Sequence, residues 1–262
     1  QYDPDSIQLR PNTGPLGDEQ AADWRTTLAR YYAAITALDQ NLGRLMETLD
    51  RLGLADDTLL VFTSDHGDML GSQQTQKKEK PWEESILVPL VMRFPGALPA
   101  GATSDALFGT LDLMPTALDL LGAEAPPVQH GRSLVPWLRG EGGDELRSVP
   151  IGIPIIVDQG AAEGMPEWRG VRTRRYTYAR LQCGKGGVLY DNLKDPFQQR
   201  NLVEDPSSTP IRRELEHETD QWLARLDDPC LPWQDMVRHL GLRDEWNARE
   251  RYMHGEKARL LS

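Results

Sequence analysis

The chain has 262 residues, with 29 Lys plus Arg against 40 Asp plus Glu and a formal net charge of −11. At roughly 150 residues per domain this is one large domain or two small ones, and the acidity argues against nucleic acid as the main partner, because a phosphate-binding face needs excess cation. Hydrophobic residues at 39% and charged residues at 26% are a globular balance, no apolar run reaches the ~20 residues of a membrane span, and two cysteines, Cys183 and Cys230, form neither a disulfide framework nor a zinc motif, with a single bridge left open.

Residues 1–17 are polar and punctuated by Pro4, Pro11, Gly14, Pro15 and Gly17, and read as a loop or tail. The opening Gln1-Tyr2-Asp3-Pro4 carries neither Met nor a visible signal peptide, so a processed end or a fragment is expected. From 18 to 52, apolar Leu28, Tyr31, Tyr32, Ile35, Leu38, Leu42, Leu45, Met46 and Leu49 recur at three and four, which predicts a long helix ended by Gly53. Two short apolar runs follow, 58–63 and 88–94, each suited to a strand buried on both faces of a parallel sheet. A helix over 111–121 carries Pro115, expected in its first turn, and is capped by Gly122. The order of elements is α/β, with a mostly parallel central sheet flanked by helices.

After Gly140 the texture changes. Glu141-Gly142-Gly143-Asp144 resembles a linker, and short runs over 151–157, 168–173, 177–181 and 187–190 predict a small antiparallel sheet followed by a helix over 210–226. The expected organisation is therefore a tail over 1–17, an α/β domain over 18–140, a small α+β subdomain over 141–230 and a charged peripheral tail over 231–262.

The sharpest chemical feature is Thr63-Ser64-Asp65-His66-Gly67-Asp68, directly after the first strand. Ligands in open α/β sheets bind beyond the carboxyl ends of strands. There Asp65 supplies a hard oxygen, His66 a nitrogen, and Gly67 a sharp turn, which together suit a metal ion as well as they suit a plain turn. The second feature is Lys77-Lys78-Glu79-Lys80-Pro81-Trp82-Glu83-Glu84-Ser85. Its lysines can grip an anion as point charges beside the flat wall of Trp82, although charge alone favours a solvated loop.

Six blocks in order carry a resemblance: YAAITALDQNLG from Tyr32, TLLVFTSDHGDMLG from Thr58, KEKPWEESILVP from Lys78, TLDLMPTALDLL from Thr110, GRSL from Gly131, and LYDNLKDP from Leu189 with Asn201-Leu202 after it. Together they resemble the C-terminal half of a sulfatase of the alkaline phosphatase superfamily, from about residue 25 to 205. The resemblance implies hydrolysis of sulfate esters by a formylglycine nucleophile around a divalent cation, usually calcium, with magnesium or manganese as alternatives. It implies Asp65 and His66 as metal ligands and Lys78, four residues before Trp82, as the sulfate-binding residue. A histidine common in a Gly-x-His-Gly setting is replaced here by Gln73. The Cys/Ser-x-Pro-x-Arg motif that yields the nucleophile is missing: Cys183 is followed by Gly-Lys-Gly and Cys230 by Leu-Pro-Trp. No catalytic nucleophile is therefore assigned, and the chain on its own is expected to be inactive.

A phosphodiesterase or phosphonate monoester hydrolase of the same superfamily is the alternative enzyme, and a non-catalytic anion- and metal-binding remnant the alternative of another class. The implied partner is a small sulfated molecule. His130 reads as a loop residue rather than a ligand. Arg172 and Arg174 would share one strand face, solvated or bordering the substrate. Trp137, Trp168, Trp222, Trp233 and Trp246 are too scattered for a recognition platform and read as core.

Overall fold

The computed structural model describes residues 2–126, 130–142, 146–156, 164–255 and 260. Gly143 and Asp144 of the expected linker and Val157 of the first expected strand of the small sheet lie outside them. The chain divides into two compact units, one made of Gln1–Lys78, Glu83–Val149 and Phe197–Gln199, the other of Glu79–Trp82, Pro150–Pro196 and Arg200–Ser262.

In the first unit, α1 (Asp18–Arg51) opens with Asp18 and Glu19 and closes with Arg51, acids and base each at the end its macrodipole favours. Gly53 takes φ +66° and donates its N–H to the Asp50 carbonyl at 3.1 Å, which turns the chain out of the helix. Leu28 and Ala29 are buried with Ile7. Further along the expected core stripe, Tyr31, Tyr32, Ile35, Leu38 and Leu45 stay exposed. Periodicity fixes which face is apolar, not whether another element covers it. Residues before α1 pack on it: the Tyr2 hydroxyl lies 2.8 Å from Thr36 Oγ1, and the two rings of Tyr2 and Tyr32 meet edge to face.

The strands β1 (Leu60–Thr63) and β2 (Leu90–Arg93) pair antiparallel, with Leu60 opposite Arg93 and Thr63 opposite Leu90. This corrects the expected parallel sheet: among the described residues no parallel pairing joins these two runs. Nor is either strand buried on both faces: Leu60, Val61 and Phe62 are half-buried, and Thr63 and Val91 are exposed. An apolar run does not set strand direction, and residues 64–89 return the chain without the crossover helix a parallel pair needs. Within that connection lies α2 (Glu83–Ile86).

The helix α3 (Thr110–Leu120) holds Pro115 in its interior, not in the first turn as expected. Pro115 cannot donate to the Leu111 carbonyl. Gly131 passes against that same carbonyl, so closely that a Cβ there would sit 1.8 Å from it. Buried Asp112 accepts N–H bonds from Gly109 and Arg132, both at 3.0 Å, tying the helix start to the later loop. The short α4 (Val135–Leu138) follows.

The second unit is built on a four-stranded sheet, β3 (Val149–Ile153), β4 (Trp168–Arg172), β5 (Tyr176–Leu181) and β6 (Lys185–Asp191), in that spatial order. The β4–β5 and β5–β6 pairs are antiparallel, as expected. Helix α5 (Thr209–Arg225) buries Leu215, Thr219, Trp222 and Leu223, and Val171, Tyr178, Ala179 and Leu189 of the sheet are also buried. Helices α6 (Trp233–His239) and α7 (Arg243–His254) follow, and the Trp233 and Trp246 rings meet at 4.9 Å. Arg174 does not share a strand face with Arg172: β4 ends at Arg172, and the Thr173 hydroxyl takes the N–H groups of Arg175 and Tyr176 into a hairpin turn.

Candidate active site

The end of β1 runs directly into a turn that displays two donors. Ser64 Oγ donates to the His66 carbonyl at 2.8 Å, and the His66 N–H donates to Asp65 Oδ1 at 3.0 Å. The Asp65 side chain is 83% exposed and that of His66 38%. Desolvation is the largest single influence on Asp65 and raises its pKa, but neighbouring His66, two backbone N–H donors and the Ser64 hydroxyl together outweigh it, so the carboxyl lies below its ordinary 3.8. It is an anion at neutral pH.

The His66 ring is oriented by its own backbone. Nδ1 lies 2.7 Å from the Gly67 carbonyl oxygen. A carbonyl only accepts, so Nδ1 carries the proton, and in the neutral ring Nε2 keeps its lone pair. Nε2 lies 3.5 Å from Asp65 Oδ2. A backbone carbonyl holding one ring nitrogen while the other is offered outward is a common support for a metal-bound histidine. The pair therefore fits a cation, as two donors of opposite hardness. Among the described residues no group of three or more His, Cys, Asp or Glu gathers that could hold a metal ion, so further donors would be water, substrate or residues outside these.

Gly67 earns its place by close approach, not by an unusual φ. A Cβ would stand 2.0 Å from the Glu84 carbonyl oxygen, and the Gly67 N–H donates to the Ser85 carbonyl at 2.9 Å. From here the chain enters a loop closed by Asp68, whose Oδ1 accepts from the N–H of Leu70 at 3.0 Å and of Lys77 at 2.9 Å. The Met69 N–H donates to the Lys77 carbonyl at 2.8 Å. Leu70, Gln73, Gln74 and Lys77 all take positive φ, a concentration of left-handed residues typical of functional loops. Half-buried Lys78 is the next residue. The loop that presents it is thus hydrogen-bonded to the segment that presents Asp65 and His66.

Sequence reasoning missed the braces. Gln73 is engaged structurally: its amide donates to the carbonyls of Phe197 at 3.2 Å and Gln198 at 2.9 Å. Buried Gln198 in turn accepts the Glu83 N–H at 2.9 Å. The lysine-rich stretch is not the solvated loop that charge alone favours: Lys80 is 1% exposed and Glu79 6%, and the Glu79 carbonyl accepts the Trp168 indole N–H at 3.0 Å. Trp82 donates to the Tyr190 hydroxyl at 3.1 Å. His130, half-buried, lies in the loop before Gly131.

The strand tip thus carries a carboxylate–imidazole pair, and the loop hydrogen-bonded to its segment carries a lysine. The sulfatase family model matches residues 5–123, and the model for the C-terminal part of N-sulphoglucosamine sulphohydrolase matches residues 73–225. The chain belongs to the sulfatase family. It is 34% identical over 230 residues to an ulvan-active sulfatase of Formosa agariphila, a match covering 87% of this chain and 44% of that protein. A solved protein in complex with its substrate D-glucosamine-2-N,6-O-disulfate superposes with TM-score 0.74 at 28% identity, over 82% of this chain and 44% of the other. The phosphonate monoester hydrolase of Agrobacterium radiobacter does so with TM-score 0.71 at 29% identity, over 79% and 43%. The chain thus spans less than half the length of these relatives. Among the described residues no helix is long and apolar enough to cross a membrane.

Proposed function

We propose that Asp65 and His66 are two ligands of a divalent cation, calcium or in its place magnesium or manganese, that Lys78 binds the sulfate group, and that the whole protein hydrolyses sulfate esters. The observation that carries the metal assignment is the His66 ring, with Nδ1 committed to the Gly67 carbonyl and Nε2 beside the ionised Asp65. When bound, the ion supplies a Lewis-acid centre that draws charge from a nonbridging sulfuryl oxygen. Asp65 and His66 orient that centre, and the Lys78 ammonium holds the anionic head as negative charge moves toward the leaving oxygen. The nucleophile, a formylglycine, belongs to a part of the protein outside this sequence. The 18–140 segment is then the later portion of a catalytic domain and 141–230 a small subdomain beside it. The relative solved with a glucosamine disulfate supports a small sulfated sugar as substrate.

Calorimetry of this chain with calcium chloride tests the metal ligands. Binding heat is expected for the unaltered chain and lost in Asp65→Ala and His66→Ala; the same heat in all three would sink the assignment. The chain alone should release no aryl alcohol from an aryl sulfate with calcium present, and turnover well above buffer would overturn the missing-nucleophile account. In the longer protein, Lys78→Ala should lower kcat/KM for a sulfate ester by about 10²–10³-fold. The likeness to a phosphonate monoester hydrolase favours a second reading, phosphonate ester cleavage at the same site. The ratio of kcat/KM for an aryl sulfate to that for a phenylphosphonate monoester separates the two.

A further inference from the structure

We propose that Cys183 and Cys230 form a reversible intramolecular disulfide, a modification site that fastens the segment after α5 to the end of the small sheet. Two lines of backbone geometry bring the residues together within the second unit. On one side, the β4–β5 ladder, which pairs Trp168 with Leu181, is extended by the Gln182 N–H donating to the Glu167 carbonyl at 3.0 Å. Cys183 follows at once, with φ +55°, in a turn closed by the Gly184 N–H on the Leu181 carbonyl at 3.1 Å. On the other side, buried Arg169 of β4, two residues past Glu167, grips the Asp228 carboxylate at 3.0 and 3.3 Å. Asp228 Oδ1 also accepts the Cys230 N–H at 2.7 Å. The carboxylate that anchors this segment to β4 therefore delivers Cys230 to the turn that carries Cys183.

Cys183 and Cys230 are near enough for each to feel the other's ionisation. A disulfide needs the sulfurs at bonding distance and a Cβ–S–S–Cβ dihedral near 90°, and rotation of two short, neighbouring side chains is the smallest motion that reaches it. Both cysteines are partly exposed, so a low-molecular-weight disulfide can reach them. Burial, and then an interaction with Cys230 that favours the protonated Cys183 S–H, push the Cys183 thiol up to about 12. Cys183 is accordingly a poor first nucleophile, and suits the resolving step, in which its neighbour is already at hand.

The reaction balances with a glutathione-type disulfide as oxidant. The Cys230 thiolate attacks one sulfur of the reagent, breaking its S–S bond and releasing one thiolate. Cys183 then loses its proton and attacks the Cys230 sulfur of the mixed disulfide, forming the internal bond and releasing a second thiolate. Two protein thiols are oxidised and one reagent disulfide is reduced to two thiols.

The test treats the full chain with oxidised glutathione, alkylates remaining thiols, and reads intact mass and peptides. The expected product has lost two hydrogens, keeps no glutathione, and yields a cross-linked peptide pair containing Cys183 and Cys230. Cys183→Ser should instead retain one glutathione on Cys230. Because the bridge restrains the unfolded chain around β6 and α5, the oxidised form should melt about 5 °C or more above the reduced form. Glutathione left on the unaltered chain, two alkylated thiols, or bridges only between chains would overturn the site. A bridged chain that melts no higher would overturn its fastening role.

Discussion

At Gly67 a single hydrogen atom decides the local geometry. Its Cα faces the Glu84 carbonyl oxygen so closely that an added methyl would overlap it at 2.0 Å, and backbone on both sides leaves no flexible side chain to move aside. Gly67→Ala should therefore part the strand tip from α2. It should cost about 1–3 kcal/mol, the range of overpacked interiors, and misplace the carbonyl that holds His66 Nδ1. Thermal melts and calcium titration of the variant read both effects, and an unchanged melting temperature would show that the approach is not needed. Asp65, His66 and Lys78 can be proposed from sequence because each stands in a dense local motif. Their supports are not foreseeable there: Gln73 and Gln198 act through backbone groups far away in sequence, the Gln73 amide reaching the carbonyls of Phe197 and Gln198 and the Gln198 side chain taking the Glu83 N–H. Nothing in a turn-rich polar stretch announces which amide it will meet.

Among the elements, helices and strands were read from periodicity and punctuation, and α1, α3, α5 and the strands of the small sheet lie where those signals placed them. Strand direction was not readable, since β1 and β2 give the same apolar run in either sense. Pro115 was read as a start signal, yet it stands inside α3, where the freed Leu111 carbonyl faces Gly131. Between β5 and β6 an ion pair makes stability depend on pH. Arg175, just before β5, grips Asp191 at the end of β6 at 2.9 and 2.6 Å. The Arg175 hydrogen bond, above all, holds the Asp191 carboxyl below its ordinary 3.8. A depressed native pKa means that the pair stabilises the folded unit fully above the unfolded value, and that this contribution is lost as pH falls through the native one. Melting temperature followed from about pH 6 to about pH 2 should therefore drop less steeply below about 3.8 in Asp191→Asn than in the unaltered chain. Parallel curves would remove Asp191 from the acid response.

For the molecule as a whole, neither unit is a single continuous stretch of chain, which no local sequence signal foretells. The second unit includes Glu79–Trp82, the first includes Phe197–Gln199. Within the second unit, Glu79 and Lys80 of the charged stretch are buried: the Glu79 carbonyl takes the indole N–H of Trp168, a residue only 2% exposed, and Trp82 meets Tyr190. Likewise Asn12 donates to the Phe197 carbonyl at 3.0 Å within the first unit. A chain cut between residues 149 and 150 thus gives two pieces that each lack an inserted segment of their own unit. In the piece over 150–262 the Trp168 indole N–H is buried without its acceptor, a loss of about 1–3 kcal/mol for one unsatisfied donor. That piece should melt below the corresponding transition of the intact chain, and its Trp168 indole proton should exchange with solvent faster. Adding a peptide spanning residues 79–82 with flanking residues should slow that exchange again. Equal exchange in the piece and the intact chain would mean that the inserted segment contributes nothing to this unit's core.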